Sequence, residues 1–245
     1  MITLYQMVLS NYCEKVRWML SYKKLPYKTK NLLPGLHAKP VKKLSQQTSV
    51  PVIVDDGQVV ANSSDILSYI DKEYPRFSIA LEGEKATDAN IKEVDKWESI
   101  ADQKIGVFVR QISYFTLINH PDIVIPMFAK DGPWYSGFLL NRMFPKMQTK
   151  MKKIMHLDEH SVHQSMKDLC GIRDKILTAL ETSDYLVADT FTRADLSVAS
   201  VFAPFFAPQK YGLDWPKEYP EPLQSMIKEF EALGPWVHKM YDRHR

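Results

Sequence analysis

The length, charge and cysteine content of the chain exclude several classes of protein. With 245 residues, the chain is long enough for one large domain or two smaller ones. Its 32 basic and 29 acidic residues give a net charge of +3, too small an excess to indicate nucleic-acid binding. Two cysteines form no disulfide framework, and no apolar run has the length of a membrane span. We therefore expect a globular cytoplasmic protein.

The first 75 residues alternate between strand and helix signals. The sequence predicts a strand at ITLYQM, a helix over residues 11–24 and a second strand at YKTKNLL. Two β-rich runs then meet at Asp56-Gly57, a strong hairpin signal, and the helix that follows is stopped by Pro75. The order β-α-β, a linking segment and β-β-α is that of a thioredoxin-like α/β domain, which we place at residues 1–78.

Helical patterns dominate the rest of the chain, after a predicted linker at residues 76–85. The predicted helices span residues 86–118, 136–156, 159–182, 193–206 and 222–242. We therefore expect a second, all-α domain over residues 86–245.

The start of the predicted helix at residue 193 carries a capping motif. In FTRADLSVAS, the Thr192 hydroxyl can accept from the backbone N–H of Asp195, whose carboxylate can accept from the N–H of Thr192. Losing such a cap costs roughly 0.5–2 kcal/mol, so we interpret the motif as structural.

The sequence resembles the soluble glutathione transferases over nearly the whole chain, and four stretches carry this resemblance. They are SNYCEKVR, GLHAKP, SVPVIVDDGQVVANSSDIL and DYLVADTFTRADLSVAS. The resemblance implies a thioredoxin-like domain followed by a helical domain, glutathione as co-substrate, and a homodimer. It also implies detoxification chemistry, in which the glutathione thiolate is conjugated to small hydrophobic electrophiles. The segment 119–164 departs from the familiar classes of the family, so class and electrophile stay open.

Ser10 follows the first strand and precedes the first helix, where serine-type members of this family carry their catalytic residue. Lowering the pKa of the glutathione thiol by ~2 units takes about 2.7 kcal/mol. A hydroxyl hydrogen bond to the thiolate supplies roughly 1.5–3 kcal/mol, and a helix N-terminus roughly 0.3–2 kcal/mol. We therefore predict Ser10 as catalytic. The alternative is that Ser10 or Asn11 only caps the helix, since Asn11 and Glu14 fit a capping box.

Cys13 lies three residues after Ser10 in a stretch that resembles the CPYC motif of glutaredoxins. With serine in place of the first cysteine, Cys13 occupies the resolving position, one turn into the helix. We interpret Cys13 as a packing residue. A Cys13-dependent thiol transferase or peroxidase stays as an alternative function.

The resemblance further implies five residues that bind glutathione. Val50, before a cis proline at Pro51, would offer its backbone to the cysteinyl part, and His37 would contact the glycyl carboxylate. Asn62 and Ser63 open a helix whose N-terminus would receive the γ-glutamyl end. Asn62 stands where the family has Glu or Gln, and it cannot neutralise an ammonium group. This departure motivates another alternative, a glutathione-binding protein with little catalysis that serves interaction or ligand carriage.

Three histidines, His156, His160 and His163, lie at helical spacing in HLDEHSVH. They lack the HExxH order and a further ligand, so we predict an exposed polar helix and no metal site.

The run 134–155 mixes aromatic, methionine and lysine residues. We predict a helix that lines an apolar substrate pocket and is broken at Pro145; binding to a membrane surface or a partner helix is the alternative. The candidate pocket residues are Val107, Phe108, Tyr114, Phe115, Trp134, Tyr135 and Phe138.

Overall fold

The structure is a computed structural model that describes residues 1–245. Its N-terminal part is a four-stranded sheet with three helices. Its elements are β1 (Ile2–Gln6), α1 (Asn11–Tyr22), β2 (Tyr27–Asn31), α2 (Ala38–Ser45), β3 (Val52–Asp55), β4 (Gln58–Ala61) and α3 (Ser63–Glu73). The strand order is β2-β1-β3-β4, with β1 parallel to β2 and antiparallel to β3, and β3 antiparallel to β4. The predicted thioredoxin-like fold is confirmed, and α2 occupies the stretch that we predicted as a linking segment.

The hairpin between β3 and β4 turns at the predicted dipeptide. Asp56 and Gly57 both have positive φ angles, 43° and 94°. Glycine adopts this region freely and aspartate tolerates it, which is why an Asp-Gly pair closes such tight turns.

The remainder of the chain is helical, as predicted. Its helices are α4 (Asp88–Ile100), α5 (Gly106–Leu117), α6 (Pro121–Ala129), α7 (Ser136–Ile154), α8 (Glu159–Ala179), α9 (Arg193–Phe206), α10 (Leu223–Lys228) and α11 (Gly234–His244). A π-helical turn at Ala101–Ile105 joins α4 to α5, so the helix predicted over 86–118 has two parts. The helix predicted over 222–242 is likewise divided, and α6 was not predicted. The domain boundaries at residues 78 and 86 stay a prediction.

The predicted break at Pro145 is wrong, because α7 continues through this residue. Proline removes one backbone hydrogen bond from a helix and leaves the carbonyl four residues earlier without its donor. Asn141 and Pro145 both lie on the exposed side of α7, where water can satisfy that carbonyl.

Helix α9 forms the centre of the helical part and packs against α1, α4 and α11. Its predicted capping box is confirmed: the Asp195 carboxylate accepts from the backbone N–H of Thr192 at 2.9 Å and of Leu186 at 2.8 Å. Burial raises the pKa of Asp195 to about 6, although these hydrogen bonds favour its ionised form.

A buried ionic cluster joins the sheet to the helices. The ammonium of Lys15 on α1 lies 2.9 Å from carboxylate oxygens of both Glu98 and Asp102 and donates to the Ser64 hydroxyl at 2.8 Å. Arg193 at the start of α9 pairs with Glu98 at 2.8 Å. Because the Lys15 side chain is fully buried, these contacts fix α1 and α3 against α4 and α9.

Candidate functional site

A cavity of about 520 Å³ lies between the start of α1 and the helical part. Residues 7–12 contribute one wall, the chain around α2 a second, and α5, α6 and α7 a third. Most of the lining side chains are hydrophobic, so the cavity suits an apolar ligand with a few polar anchor points.

Ser10 lines this cavity and is also the N-cap of α1. Its hydroxyl accepts from the backbone N–H of Cys13 at 3.3 Å, and the residue is half-buried. A serine hydroxyl has one proton to donate in addition to its acceptor lone pairs. Capping the helix therefore leaves the Ser10 proton free to be donated to a ligand in the cavity.

The capping box proposed for Asn11 and Glu14 is wrong. Asn11 is the first helical residue, and its side-chain amide donates to the backbone carbonyl of Gly106 at 3.3 Å. The Glu14 carboxylate instead pairs with Arg17 at 2.7 Å and Arg245 at 2.8 Å. Arg17 is a local partner of Glu14, three residues further along α1, whereas Gly106 and Arg245 lie far away in the sequence and could not be inferred from it.

Tyr12 anchors the start of α1 to the helical part. Its hydroxyl donates to the backbone carbonyl of Asp102 at 2.6 Å, within the π-helical turn where regular helix bonding is interrupted. Burial raises the pKa of Tyr12 to about 12. Tyr12 is therefore a neutral hydrogen-bond donor that holds one wall of the cavity in place.

Cys13 is fully buried beneath Ser10 and packs with Val41, Val50 and Val52. Burial raises the pKa of its thiol, although the Ser10 hydroxyl opposes this shift. A reactive cysteine needs access and a lowered pKa, and Cys13 has neither. These observations agree with a packing role.

Of the six residues that the resemblance assigned to the site, the cavity brings together Ser10 and His37. The Val50–Pro51 peptide bond is cis, as predicted, but Thr48 and Ser49 are the residues of this loop that reach the cavity. Val50 is buried against Cys13.

Asn62 and Ser63, at the start of α3, lie outside the cavity lining. Asn62 is exposed, has a positive φ of 73° and makes no side-chain capping bond, while Ser63 is buried. Their predicted contact with the γ-glutamyl end stays a prediction.

His37 is half-buried at the start of α2, and its Nδ1 has no hydrogen-bond partner. Burial lowers the pKa of His37, and the nearby positive charge of Lys150 lowers it further. Lys150 on α7 thus adds a cation to this end of the cavity, which the sequence did not reveal.

Most of the residues that we predicted to line the substrate pocket do not line the cavity. Among them only Tyr114 lines the cavity. Trp134, just before α7, and Phe138 in its first turn are 96% and 79% exposed, so this aromatic segment faces solvent. A helix pattern shows which residues share a face, but not which face a neighbouring element covers.

The apolar wall that the sequence missed comes mainly from α6 and α7. Met127 and Phe128 contribute from α6, and Met147 and Met151 from α7. The spacing of Met147, Met151 and Met155 at i, i+4 and i+8 was the available signal for the inward face of α7. Flexible methionine side chains suit a pocket that accepts ligands of varied shape.

No group of His, Cys, Asp or Glu side chains is arranged to hold a metal ion. None of the helices combines the length and apolar character needed to cross a bilayer.

The following features define a class of protein in which a thioredoxin-like domain is joined to an all-α domain. They are the mixed four-stranded sheet, the cis proline, and the helical part that shares a cavity with the sheet. Within this class, residues 4–82 match the family described as glutathione S-transferase, N-terminal domain. A sequence comparison with curated proteins gives no match.

Solved structures with the same fold span almost the whole chain. A glutathione S-transferase from Rhodospirillum rubrum aligns with a TM-score of 0.62 at 20% identity, over 95% of this chain and 87% of that one. The β-etherase LigF from a Sphingobium strain gives 0.63 at 17% identity, over 99% of both chains. A glutathione transferase from Phanerochaete chrysosporium, solved with oxidized glutathione, gives 0.61 at 18% identity, over 99% and 90%.

Residues 4–82 thus belong to the glutathione S-transferase N-terminal domain family, and the chain as a whole has the fold of the soluble glutathione S-transferases. The serine-type assignment stays a prediction.

Proposed function

We propose that the protein is a glutathione transferase that conjugates the glutathione thiolate to small hydrophobic electrophiles, with Ser10 as its catalytic residue. One observation carries this proposal: the Ser10 hydroxyl lines the largely hydrophobic cavity while it caps α1. A thiolate placed at this point would accept the Ser10 proton and lie at the positive end of the helix dipole.

The two contributions are large enough for the chemistry. A hydrogen bond to an anion is worth roughly 1.5–3 kcal/mol, and a helix N-terminus roughly 0.3–2 kcal/mol. Together they correspond to a thiol pKa lowered by about one to four units. The cap supports the role of Ser10, because a hydroxyl that accepts from Cys13 N–H is held in place and becomes a better donor.

The electrophile would occupy the apolar wall built by α5, α6 and α7. Proximity would then accelerate the reaction, because a thiolate and an electrophile that are held in contact react without the entropy cost of an encounter.

A glutathione-binding protein with little catalysis is the second candidate. The neutral Asn62 favours it, because this residue leaves the ammonium group of glutathione without a countercharge there. The third alternative, thiol chemistry at Cys13, is opposed by the burial and raised pKa of that thiol.

The deciding experiment measures the absorbance of the bound glutathione thiolate against pH in the wild type and in Ser10→Ala. We expect the substitution to raise the thiol pKa by about one to two units and to slow conjugation near neutral pH roughly ten- to hundredfold. Calorimetry should show nearly unchanged glutathione affinity. An unchanged titration would reduce Ser10 to a helix cap.

Cys13→Ala is the matched control in the same turn of α1. We expect turnover to persist, with only a loss of packing stability. A collapse of turnover in Cys13→Ala would assign the chemistry to the cysteine instead. Binding of glutathione without turnover on a panel of electrophiles would favour the second candidate.

We also propose a cytoplasmic homodimer, on the strength of the family resemblance. Light scattering at micromolar concentration should give about twice the 28.4 kDa of one chain.

A further inference from the structure

The charged side chains that line the cavity are all of one sign. Arg110 on α5 and Lys150 on α7 are its charged groups, and no aspartate or glutamate lines it. Neither cation forms an ion pair with any carboxylate of the chain. The cavity therefore presents positive charge that the protein does not neutralise.

The two cations act on different residues of the cavity lining. Lys150 acts on His37, at the end predicted to hold the glycyl carboxylate of glutathione. Arg110 lies near Tyr12 and Tyr114, whose ionisation its charge favours. The glycyl carboxylate of glutathione would therefore neutralise Lys150. The charge of Arg110 on α5 stays available to a second ligand.

The surroundings of Arg110 describe that ligand. Arg110, Ser113, Tyr114 and Leu117 lie at i, i+3, i+4 and i+7, so one face of α5 lines the cavity. The ring of Tyr114 packs against Phe128, with 5.9 Å between the centroids. This face offers a guanidinium and a hydroxyl directly beside an aromatic and aliphatic surface.

We infer that Arg110, with Ser113 beside it, binds an anionic group of the acceptor, and that the preferred acceptors are amphipathic molecules with an apolar body and a carboxylate. This inference rests on the proposed transferase function. A planar guanidinium matches a carboxylate through two parallel hydrogen bonds. A neutral acceptor would instead cover the charge of Arg110 without compensating it, which costs free energy.

The test uses two acceptors that differ in charge, 4-chloro-3-nitrobenzoate and its methyl ester. Because Arg110 is exposed and its charge is screened by water, we expect an effect near tenfold. Arg110→Gln should raise KM for the carboxylate about tenfold and change KM for the ester less than twofold. Arg110→Lys should restore part of the preference. An equal loss for both acceptors, or a raised KM for glutathione, would overturn the inference.

Two further variants separate local from general charge effects. Lys104→Gln removes an exposed cation that does not line the cavity, and should change both acceptors by less than twofold. If it reproduced Arg110→Gln, long-range attraction would replace the proposed contact. Lys150→Gln should raise KM for glutathione and leave the ratio between the two acceptors unchanged.

A binding assay distinguishes this inference from the proposed function. Calorimetry with naphthalene-1-carboxylate and naphthalene-1-carboxamide, in the presence of S-methylglutathione, needs no turnover. We expect the carboxylate to bind about tenfold tighter, and Arg110→Gln to abolish that preference. If this holds while neither nitrobenzoate acceptor is conjugated, the transferase proposal fails and the ligand class stands. Conjugation of both acceptors with no dependence on Arg110, or no binding of either naphthalene, would overturn the inference.

Discussion

Gly106 supports the most direct test of how the helical part positions the start of α1. A Cβ atom at this position would lie 2.7 Å from the Tyr12 hydroxyl oxygen and 2.9 Å from its Cζ. The tyrosine cannot simply withdraw, because its hydroxyl donates to the carbonyl of Asp102 at 2.6 Å. Gly106→Ala must therefore displace either Tyr12 or the helix.

The expected cost follows from three contributions. Overpacking of a well-packed site costs about 1–3 kcal/mol. The displaced hydrogen bond to Asp102 costs about 1 kcal/mol. Alanine is better than glycine in a helix by about 1 kcal/mol, which offsets the hydrogen bond. We therefore expect the free energy of unfolding of Gly106→Ala to fall by about 1–3 kcal/mol.

Urea denaturation measures this change, with Gly171→Ala as the matched control. Gly171 is an exposed glycine within α8, and a Cβ atom there would meet nothing within 4 Å. We expect the control to be stabilised by about 0.5–1 kcal/mol. The same substitution should thus change stability in opposite directions at the two sites.

A double-mutant cycle with Tyr12→Phe identifies the contact. Removing the hydroxyl relieves the 2.7 Å approach and removes the hydrogen bond in advance, so Gly106→Ala should cost less in the Tyr12→Phe background. Additive effects would refute the reasoning, as would a Gly106→Ala variant that is as stable as the Gly171→Ala control.

Two further predictions concern the buried ionic cluster. Lys15→Met should lower the free energy of unfolding by about 3–5 kcal/mol, because it leaves the carboxylates of Glu98 and Asp102 short of their buried countercharge; a loss below 1 kcal/mol by urea denaturation would contradict this. Burial opposes the ionisation of Glu98, but Lys15 and Arg193 outweigh it and lower the pKa of that carboxyl below its usual 4.5. A lowered folded-state pKa means that this contribution is present above about pH 4.5 and is lost as the pH falls below it. The free energy of unfolding should therefore fall less steeply below pH 4.5 in Glu98→Gln than in the wild type. An identical pH dependence would refute the lowered pKa of Glu98.

Local patterns in the sequence determined the class of fold and most of its elements. The Asp56-Gly57 turn, the alternation of β1 and the capping box at Thr192 depend on neighbours within a few residues, and such interactions can be inferred from the chain itself. The position of Ser10 between a strand and a helix was of the same kind.

Only the tertiary structure decided which groups meet across the cavity. Trp134 and Phe138 resembled pocket residues because hydrophobicity and spacing do not tell which side of a helix is covered. Glu14 resembled a capping residue, but its carboxylate pairs with Arg17 on the same helix and with the distant Arg245, a partner that only the folded chain supplies.

The polar contacts of the site could not be predicted from the sequence either. The Tyr12 hydroxyl donates to the carbonyl of Asp102 in the π-helical turn, ninety residues later in the chain, and the positive charge of Lys150 acts on His37 from a distant helix. Contacts of this kind depend on packing between elements far apart in the sequence. A single sequence carries no periodic signal for them, whereas the folded chain brings their atoms within reach of one another.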